Sequence, residues 1–128
     1  MSKLLFLILS VLFSLSYLMA QNQDSLLKVW NDSSEPDSAR LNAINDLAWT
    51  FIYHDPDTAF AIASEGLSYA NEKKDIYWQS KLINTQGTSY YVKGDLNIAL
   101  DYFLARLELI EKLGDKTSLA SAYNNIGV

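Results

Sequence analysis

Cysteine is absent from the chain, and histidine occurs once, at position 54. Without cysteine the chain has no disulfide framework, no thiolate zinc site and no cysteine nucleophile. His54 lies in a polar stretch beside Asp55 and Asp57, with no glycine-rich phosphate loop or metal-spaced cluster near it. These two aspartates are better explained as caps of the helix that follows. We therefore expect no catalytic, cofactor-binding or metal-binding residue here, and an enzyme would need a catalytic domain outside this chain.

Basic residues are also in the minority. Ten lysines and arginines stand against fifteen aspartates and glutamates, which gives a net charge of −5. An acidic chain repels the phosphate backbone, so nucleic acid is not an expected partner of this segment. The 128 residues, about half of them apolar, are enough for one ordinary folded domain.

The first 20 residues have the composition of a secretory signal peptide. Lys3 precedes an apolar run from Leu4 to about Leu15, and the less apolar stretch that follows ends at Ala20. The run contains serines and is shorter than the roughly 20 residues that cross a bilayer, which favours a cleaved signal over a retained anchor. We expect cleavage after Ala20 and export to the periplasm or the cell exterior. An uncleaved segment, or a second span further downstream, would tether the protein to the membrane.

Residues 21–37 are expected to form a short apolar turn, Asp24–Trp30, and a polar linker that contains Pro36. From residue 38 onward the apolar residues recur at steps of three and four, which predicts amphipathic helices. Pro56 in a first turn, Gly94 and the Leu-Gly-Asp stretch at 113–115 mark helix boundaries. The helices are expected at about residues 38–53, 56–70, 76–92, 96–112 and from 116 onward. No strand pattern appears, so the expected fold is all-α.

Several residue types recur 40 positions apart along these helices. The recurring pairs are Ala59 and Ala99, Leu67 and Leu107, Asp75 and Asp115, and Gly87 and Gly127. A fixed period of 20 to 50 residues indicates a stack of repeated units, each covering the apolar face that its neighbour cannot bury alone. The unit here is a helix pair. The repeats are expected at about residues 38–75 and 76–115, with an incomplete one at 116–128.

The central unit resembles the tetratricopeptide repeat family. Gly87, Tyr90, Ala99 and Phe103 match the small and aromatic positions of that pattern, and Ala48 takes the glycine position of the first unit. The sequence AYNNIG at 122–127 opens a third unit, and the period resembles the 40-residue variety of exported bacterial proteins. The resemblance covers about residues 38–128. It implies a right-handed superhelical solenoid of antiparallel helix pairs.

Small residues at Gly87 and Gly127 are expected to let the second helix of a pair approach closely. Two positions depart from the family pattern, since Gln86 stands where leucine is usual and Arg106 where a small alanine is usual. We expect Arg106 to lay its aliphatic stem over apolar surface and to keep its guanidinium in water.

Asparagine recurs at one position of each unit, three residues before the small residue, as Asn45, Asn84 and Asn124. The resemblance implies that this position lines the concave groove, where a carboxamide can donate to and accept from a peptide backbone. Asparagine is also tolerated on any polar helix face, and both interpretations stay open. Helical spacing from Asn84 adds three residues to the candidate groove, and Trp49 is either a packing anchor or a further member. The added residues are Lys81, Thr88 and Tyr91.

These observations predict an exported, non-enzymatic scaffold that binds a protein or an extended peptide segment. About two and a quarter repeats fall short of the three usually needed, so we expect the chain to be the N-terminal part of a longer protein. The alternative is a periplasmic sensory input region of a larger signalling protein, a histidine kinase or a transcriptional regulator. The residues after Val128 would decide between the two.

Overall fold

A computed structural model describes residues 2–114 and 116–127, which form six α-helices and no strand. The all-α prediction is therefore confirmed. The four central helices begin and end within two residues of the expected boundaries. The helices are α1 (Ser2–Asn31), α2 (Asp37–Phe51), α3 (Pro56–Glu72), α4 (Ile76–Lys93), α5 (Leu96–Leu113) and α6 (Lys116–Ile126).

Two of the helices begin at an aspartate that satisfies a free backbone N–H. Asp55 accepts from the backbone N–H of Thr58 at 3.1 Å, and Asp75 accepts from that of Trp78 at 3.0 Å. The bonds from Thr58 also hold the pKa of the Asp55 carboxyl below its ordinary value. Asp95 precedes α5, but its side chain makes no capping hydrogen bond.

Each helix packs against the next one along the chain, and α2 also contacts α4. The connections between neighbouring helices are a few residues long, so α2 with α3 and α4 with α5 form two successive helix pairs. Gly66 on α3 allows one close contact, because an added Cβ atom would lie 2.8 Å from Ile44 Cγ2 and 3.0 Å from Leu82 Cδ2. Ile44 and Leu82 are buried in the core that the first four helices share.

Gly87 makes the equivalent close contact within the second pair. A Cβ atom there would lie 2.7 Å from Phe103 Cε1, which confirms that α5 approaches α4 at this glycine. The expectation for Gly127 concerns the second helix of a third pair, which the described residues do not include, so it stays a prediction. That glycine follows the last residue of α6, has a φ of 85°, and has open space where a side chain would stand. Its role is conformational, because a positive φ is strained for residues with a Cβ.

The C-terminal part of α1 corrects the prediction of a turn and linker at 21–37, because the helix continues to Asn31. Trp30 is buried in the core, and its Nε1 donates to Glu65 Oε1 on α3 at 2.9 Å. Gln23 Nε2 donates to Thr50 Oγ1 on α2 at 3.1 Å. No glycine or proline interrupts this stretch, so nothing stops the helix before the polar residues at 32–36. The end of α1 belongs to the folded unit.

The preceding part of α1, residues 2–22, is exposed along its whole length. By length and composition α1 could cross a membrane, and a signal sequence near an N-terminus passes the same test. The argument that the apolar segment is too short for a span therefore does not hold for the helix as a whole. Export and membrane attachment both remain compatible with α1.

A cluster around Arg40 fixes the junction of the first three helices. Its guanidinium carbon lies 4.7 Å from the ring centroid of Tyr69 and 5.4 Å from that of Trp30. Arg40 Nε donates to the Trp30 carbonyl at 2.9 Å, and Nη1 donates to the Tyr69 hydroxyl oxygen at 2.7 Å. The Tyr69 hydroxyl in turn donates to Asp37 Oδ1 at the start of α2. Stacking and hydrogen bonds thus hold α1 against the first helix pair.

Candidate functional site

A pocket of about 380 Å³ opens where α2, α4, α5 and α6 meet. Five of the seven residues that the sequence singled out as groove candidates line it, namely Trp49, Asn84, Thr88, Tyr91 and Asn124. They come from three helices and are brought together by the packing of successive units. The remaining lining residues are Phe103 and Asn125.

The two remaining lining residues were not among the predicted site residues. Phe103 is buried and also forms part of the pocket wall. Asn125 follows Thr85 by one period of 40 residues. That spacing does not single Asn125 out as a pocket residue, because Thr85 is buried against Asn45.

Asn45 does not line the pocket. It is buried, and its Oδ1 accepts a hydrogen bond of 2.7 Å from the Thr85 hydroxyl on α4. Because the neighbouring helix already satisfies this oxygen, the prediction that Asn45 faces a ligand groove is wrong. The residue links α2 to α4 instead.

Lys81 also lies outside the pocket, so this candidate is corrected as well. Its side chain is exposed, and its ammonium nitrogen lies 5.4 Å from the ring centroid of Tyr77, one turn earlier on α4. That contact is a weak cation–π interaction at an exposed site. The pocket wall therefore contains no lysine.

Asn84 repeats the arrangement of Asn45 one unit further along. Its Oδ1 accepts from Asn125 Nδ2 on α6 at 2.5 Å and from Arg106 Nη1 on α5 at 3.1 Å. Asn45 Oδ1 accepts from Thr85, the residue after Asn84, and Asn84 Oδ1 accepts from Asn125, the residue after Asn124. Two of the three recurring asparagines, Asn45 and Asn84, therefore form hydrogen bonds between helices of neighbouring pairs. Asn84 differs from Asn45 in being only half-buried and in lining the pocket.

Arg106 is buried, which corrects the expectation of a guanidinium in water. Besides its bond to Asn84, it donates from Nη2 to Ser121 Oγ at 3.4 Å, while its Nε has no partner. Among the described residues no carboxylate forms a salt bridge with it. Burial lowers the pKa of the guanidinium from its ordinary value. The residue places a positive charge behind Asn84, between α5 and α6.

Gln86, the other departure from the family pattern, is buried on α4. Its Nε2 donates to Ser64 Oγ on α3 at 2.9 Å, while its Oε1 has no partner. The carboxamide therefore replaces an apolar contact between the two helix pairs with one hydrogen bond. It does not line the pocket.

Aromatic rings and uncharged polar groups together make up the pocket surface. Trp49 and Tyr91 are 37% and 60% exposed to solvent, so both rings are available to a ligand, whereas Phe103 is only 7% exposed. Among the described residues that line the pocket, none carries a charge. Such a surface can stack with a flat apolar group and can exchange hydrogen bonds with neutral polar groups.

The described ranges, 2–114 and 116–127, contain no group of three or more histidine, aspartate and glutamate side chains that could hold a metal ion. His54 is exposed, and its ring lies 5.4 Å from that of Phe51, one turn earlier in the chain. Asp57, beside it, is paired with Lys93 Nζ at 2.7 Å.

Comparison of the chain with protein-family models, with curated proteins and with solved structures found no match. The resemblance to tetratricopeptide repeats stays a prediction from the sequence.

Proposed function

We propose that the chain is an exported helical-repeat scaffold of the tetratricopeptide type, and that it binds an extended peptide segment of another protein. The two helix pairs would be successive units of a right-handed superhelical solenoid, with α6 opening a third. The equivalent hydrogen bonds of Asn45 with Thr85 and of Asn84 with Asn125 support this, because they recur with the period of the sequence.

The observation that carries the proposal is the convergence of five predicted groove residues on one pocket. Four of them were chosen from helical and repeat spacing, whereas Trp49 was left open as a packing anchor or a groove residue, and packing joins residues as distant in the chain as Trp49 and Asn124. Trp49 is the informative member, because tryptophan is highly buried on average in folded proteins. It instead keeps more than a third of its surface exposed on the pocket wall.

Binding would combine two kinds of contact. An apolar side chain of the peptide would pack between the exposed rings of Trp49 and Tyr91, where it would remove apolar surface from water. The carboxamides at the α4–α6 side would bond to the peptide backbone, which reads the extended shape rather than the sequence. No covalent step is involved, and the partner is a protein or peptide.

Export of this scaffold is part of the proposal. Gln23 is the first described residue of α1 that forms a hydrogen bond with another helix. Residues 2–20 could therefore be removed without breaking a hydrogen bond between α1 and the other helices. Cleavage after Ala20 would leave the docked end of α1 on the repeats. The partner would then be met in the periplasm or outside the cell.

Removing either exposed ring tests the proposal. Peptides selected by display against the full chain in mild detergent would be titrated by fluorescence anisotropy against wild type, Trp49→Ala and Tyr91→Ala. Each substitution should weaken binding about tenfold or more, because an aromatic wall of the pocket is lost. Tyr53→Ala is the matched control, since Tyr53 is 79% exposed and lies outside the pocket.

The control should bind as wild type does, and circular dichroism should show that all three variants keep their helices. Equal affinity of wild type, Trp49→Ala and Tyr91→Ala for every selected peptide would show that the pocket is not the binding site. The scaffold proposal would then lose the observation on which it rests.

A further inference from the structure

The docked end of α1, residues 23–31, takes the place of a second helix in a repeat unit. Trp30 precedes Ala70 of α3 by 40 residues, and Ala70 precedes Ile110 of α5 by 40 more. All three side chains are buried. Because α3 and α5 are the second helices of their pairs, the docked end of α1 is the equivalent helix of a partial unit in front of the first pair.

The contacts of this docked end begin close to the expected cleavage site. Gln23 Nε2 donates to Thr50 Oγ1 on α2 at 3.1 Å, and Leu26 and Trp30 pack into the core. Gln23 follows Ala20 by three residues, which is less than one helical turn. The bond that a peptidase would cut therefore adjoins the folded unit.

The backbone joins the two parts of α1 without a break. The helix runs from Ser2 to Asn31, and this range contains neither glycine nor proline. In an α-helix each N–H bonds to the carbonyl four residues earlier, so the carbonyls of residues 19–22 are bonded to the N–H groups of residues 23–26. Opening the helix around Ala20 thus removes hydrogen-bond partners from the docked end.

A peptidase has to hold the scissile segment in an extended conformation, so cleavage inside a helix proceeds through a locally opened state. The docked end of α1 stabilises the helix on one side of Ala20 and makes that opened state rarer. At Ala20 the docked conformation and the conformation that can be cut therefore exclude each other.

We infer that cleavage after Ala20 comes before α1 docks on the repeats, an order that rests on the export part of the proposed function. A chain that is cut first is released and then docks residues 23–31. A chain that docks first is protected from the peptidase, and the exposed apolar side chains of residues 4–19 keep it at the membrane. The order of the two steps thus sets whether the scaffold is free or attached.

The cut itself is a hydrolysis. The amide bond between Ala20 and Gln21 breaks, and water supplies the hydroxyl of the new Ala20 carboxyl group and the hydrogen of the new Gln21 amino group. No oxidant, reductant or cofactor is consumed.

Asn22→Pro separates the two parts of α1 without changing a docked side chain. Asn22 is exposed, and proline is tolerated in the first turn of a helix, whereas it forces the preceding residue, Gln21, into an extended conformation. Wild type and variant would be folded in mild detergent and incubated with purified signal peptidase, and intact-mass analysis would follow chains that begin at Gln21. The variant should be cut roughly tenfold faster or more, because the helix at the site no longer has to open.

Asn22→Ala is the matched control, since alanine keeps the helix. It should be cut as slowly as the wild type. All three chains should melt at the same temperature, because Gln23, Leu26 and Trp30 stay in place. Equal cleavage rates of wild type and Asn22→Pro would overturn the inference.

A synthetic peptide of residues 1–26 gives a second comparison that does not depend on a folded variant. It has no repeats to dock on, so it should be cut at least roughly tenfold faster than the folded wild type. Equal rates would again overturn the inference.

Failure of the inference differs from failure of the proposed function. Rapid cleavage of the folded wild type after Ala20 would reject the order of the two steps and leave export intact. If neither the peptide nor any chain is cut there, both the cleavage site and the inference are rejected. The binding of peptides at the pocket would not be affected by either result.

Discussion

Asn45 Oδ1 and Thr85 Oγ1 lie 2.7 Å apart, although 40 residues separate them in the chain. Both side chains are buried, and the bond joins the first helices of two successive pairs. A buried polar atom costs free energy unless it has a partner, so the Asn45 oxygen is tolerated because of the Thr85 hydroxyl, which also lies 3.3 Å from the Lys81 carbonyl oxygen. The pair explains why a polar side chain recurs at a position that would otherwise suit an apolar one.

Replacing Thr85 by valine should therefore destabilise the fold by roughly 1–3 kcal/mol, because the substitution keeps the shape but leaves the Asn45 oxygen without a donor. Thermal unfolding followed by circular dichroism measures this loss. Thr85→Ser keeps the hydroxyl and should recover most of it. A Thr85→Val chain that melts with the wild type would show that the bond contributes nothing to the stability of the fold.

Gly87→Ala should also destabilise the chain, by steric contact. Alanine gains about 1 kcal/mol over glycine in helix propensity. The new Cβ would lie 2.7 Å from Phe103 Cε1 and 3.1 Å from Tyr102 Cβ, and overpacking of this kind costs roughly 1–3 kcal/mol. We expect the steric cost to exceed the gain, so the free energy of unfolding should fall in chemical denaturation.

The loss caused by Gly87→Ala should be smaller in a Phe103→Leu background. The leucine side chain lacks the ring atom nearest to Gly87, so of the contacts below 3.4 Å mainly the one with Tyr102 Cβ, at 3.1 Å, would remain. If Gly87→Ala stabilises the chain that retains Phe103, the close approach of α5 to α4 does not depend on glycine.

The sequence predicted the helices better than the contacts among their polar side chains. Apolar spacing together with Pro56 and Gly94 located the boundaries of the central helices, because both signals act within a few residues. The end of α1 was missed although Leu26 and Trp30 lie four residues apart, since their partners on α2 and α3 are remote in sequence. The polar cluster that follows them favoured a linker instead.

The candidate site shows the same limit. Repeat spacing found Asn45 and Asn84 as equivalent residues, but it could not show that one is buried against Thr85 while the other lines a pocket. That difference depends on the neighbours across the interface. Arg106 was expected in water for the same reason, because its partners on α4 and α6 are not apparent from its own helix.

Acid should weaken the junction of α2 and α3. The Tyr69 hydroxyl bond and the nearby Lys73 ammonium hold the pKa of Asp37 below its ordinary value of 3.8. A carboxyl whose pKa is lower in the folded state than in the unfolded state stabilises the fold at pH values above its unfolded pKa. That contribution is lost as the pH falls through the folded pKa. The melting temperature should therefore drop between about pH 5 and pH 2.

Tyr69→Phe removes the main hydrogen bond to Asp37 and also the bond from Arg40 Nη1, so only the part of its effect that changes with pH reports on the Asp37 carboxyl. The variant should melt below the wild type near neutral pH, and the gap should narrow as the pH is lowered through that window. Melting curves of both chains at several pH values measure the gap. A gap that stays constant with pH would mean that the Asp37 carboxyl does not contribute through this bond.

The docked end of α1 should be required for stability, whereas the exposed part should not. A chain that starts at Gln21 keeps Gln23, Leu26 and Trp30. The described residues that it loses form no hydrogen bond with the other helices. A chain that starts at Asp32 loses the buried Trp30 ring and its bond to Glu65, and truncation of a buried tryptophan alone costs roughly 3–5 kcal/mol.

We therefore expect the chain from Gln21 to melt with the full chain and the chain from Asp32 to melt far below it or to be unfolded. Trp30→Ala in the longer chain should reproduce most of the loss, which separates the side chain from the effect of shortening the helix.

Intact-mass analysis of the exported protein should also find Gln21 at its N-terminus, since cleavage there leaves every docked residue in place. Equal melting of the two shortened chains would show that α1 adds nothing to the repeats. Recovery of the protein from membranes with Met1–Ala20 still attached would show that the exposed part is an anchor.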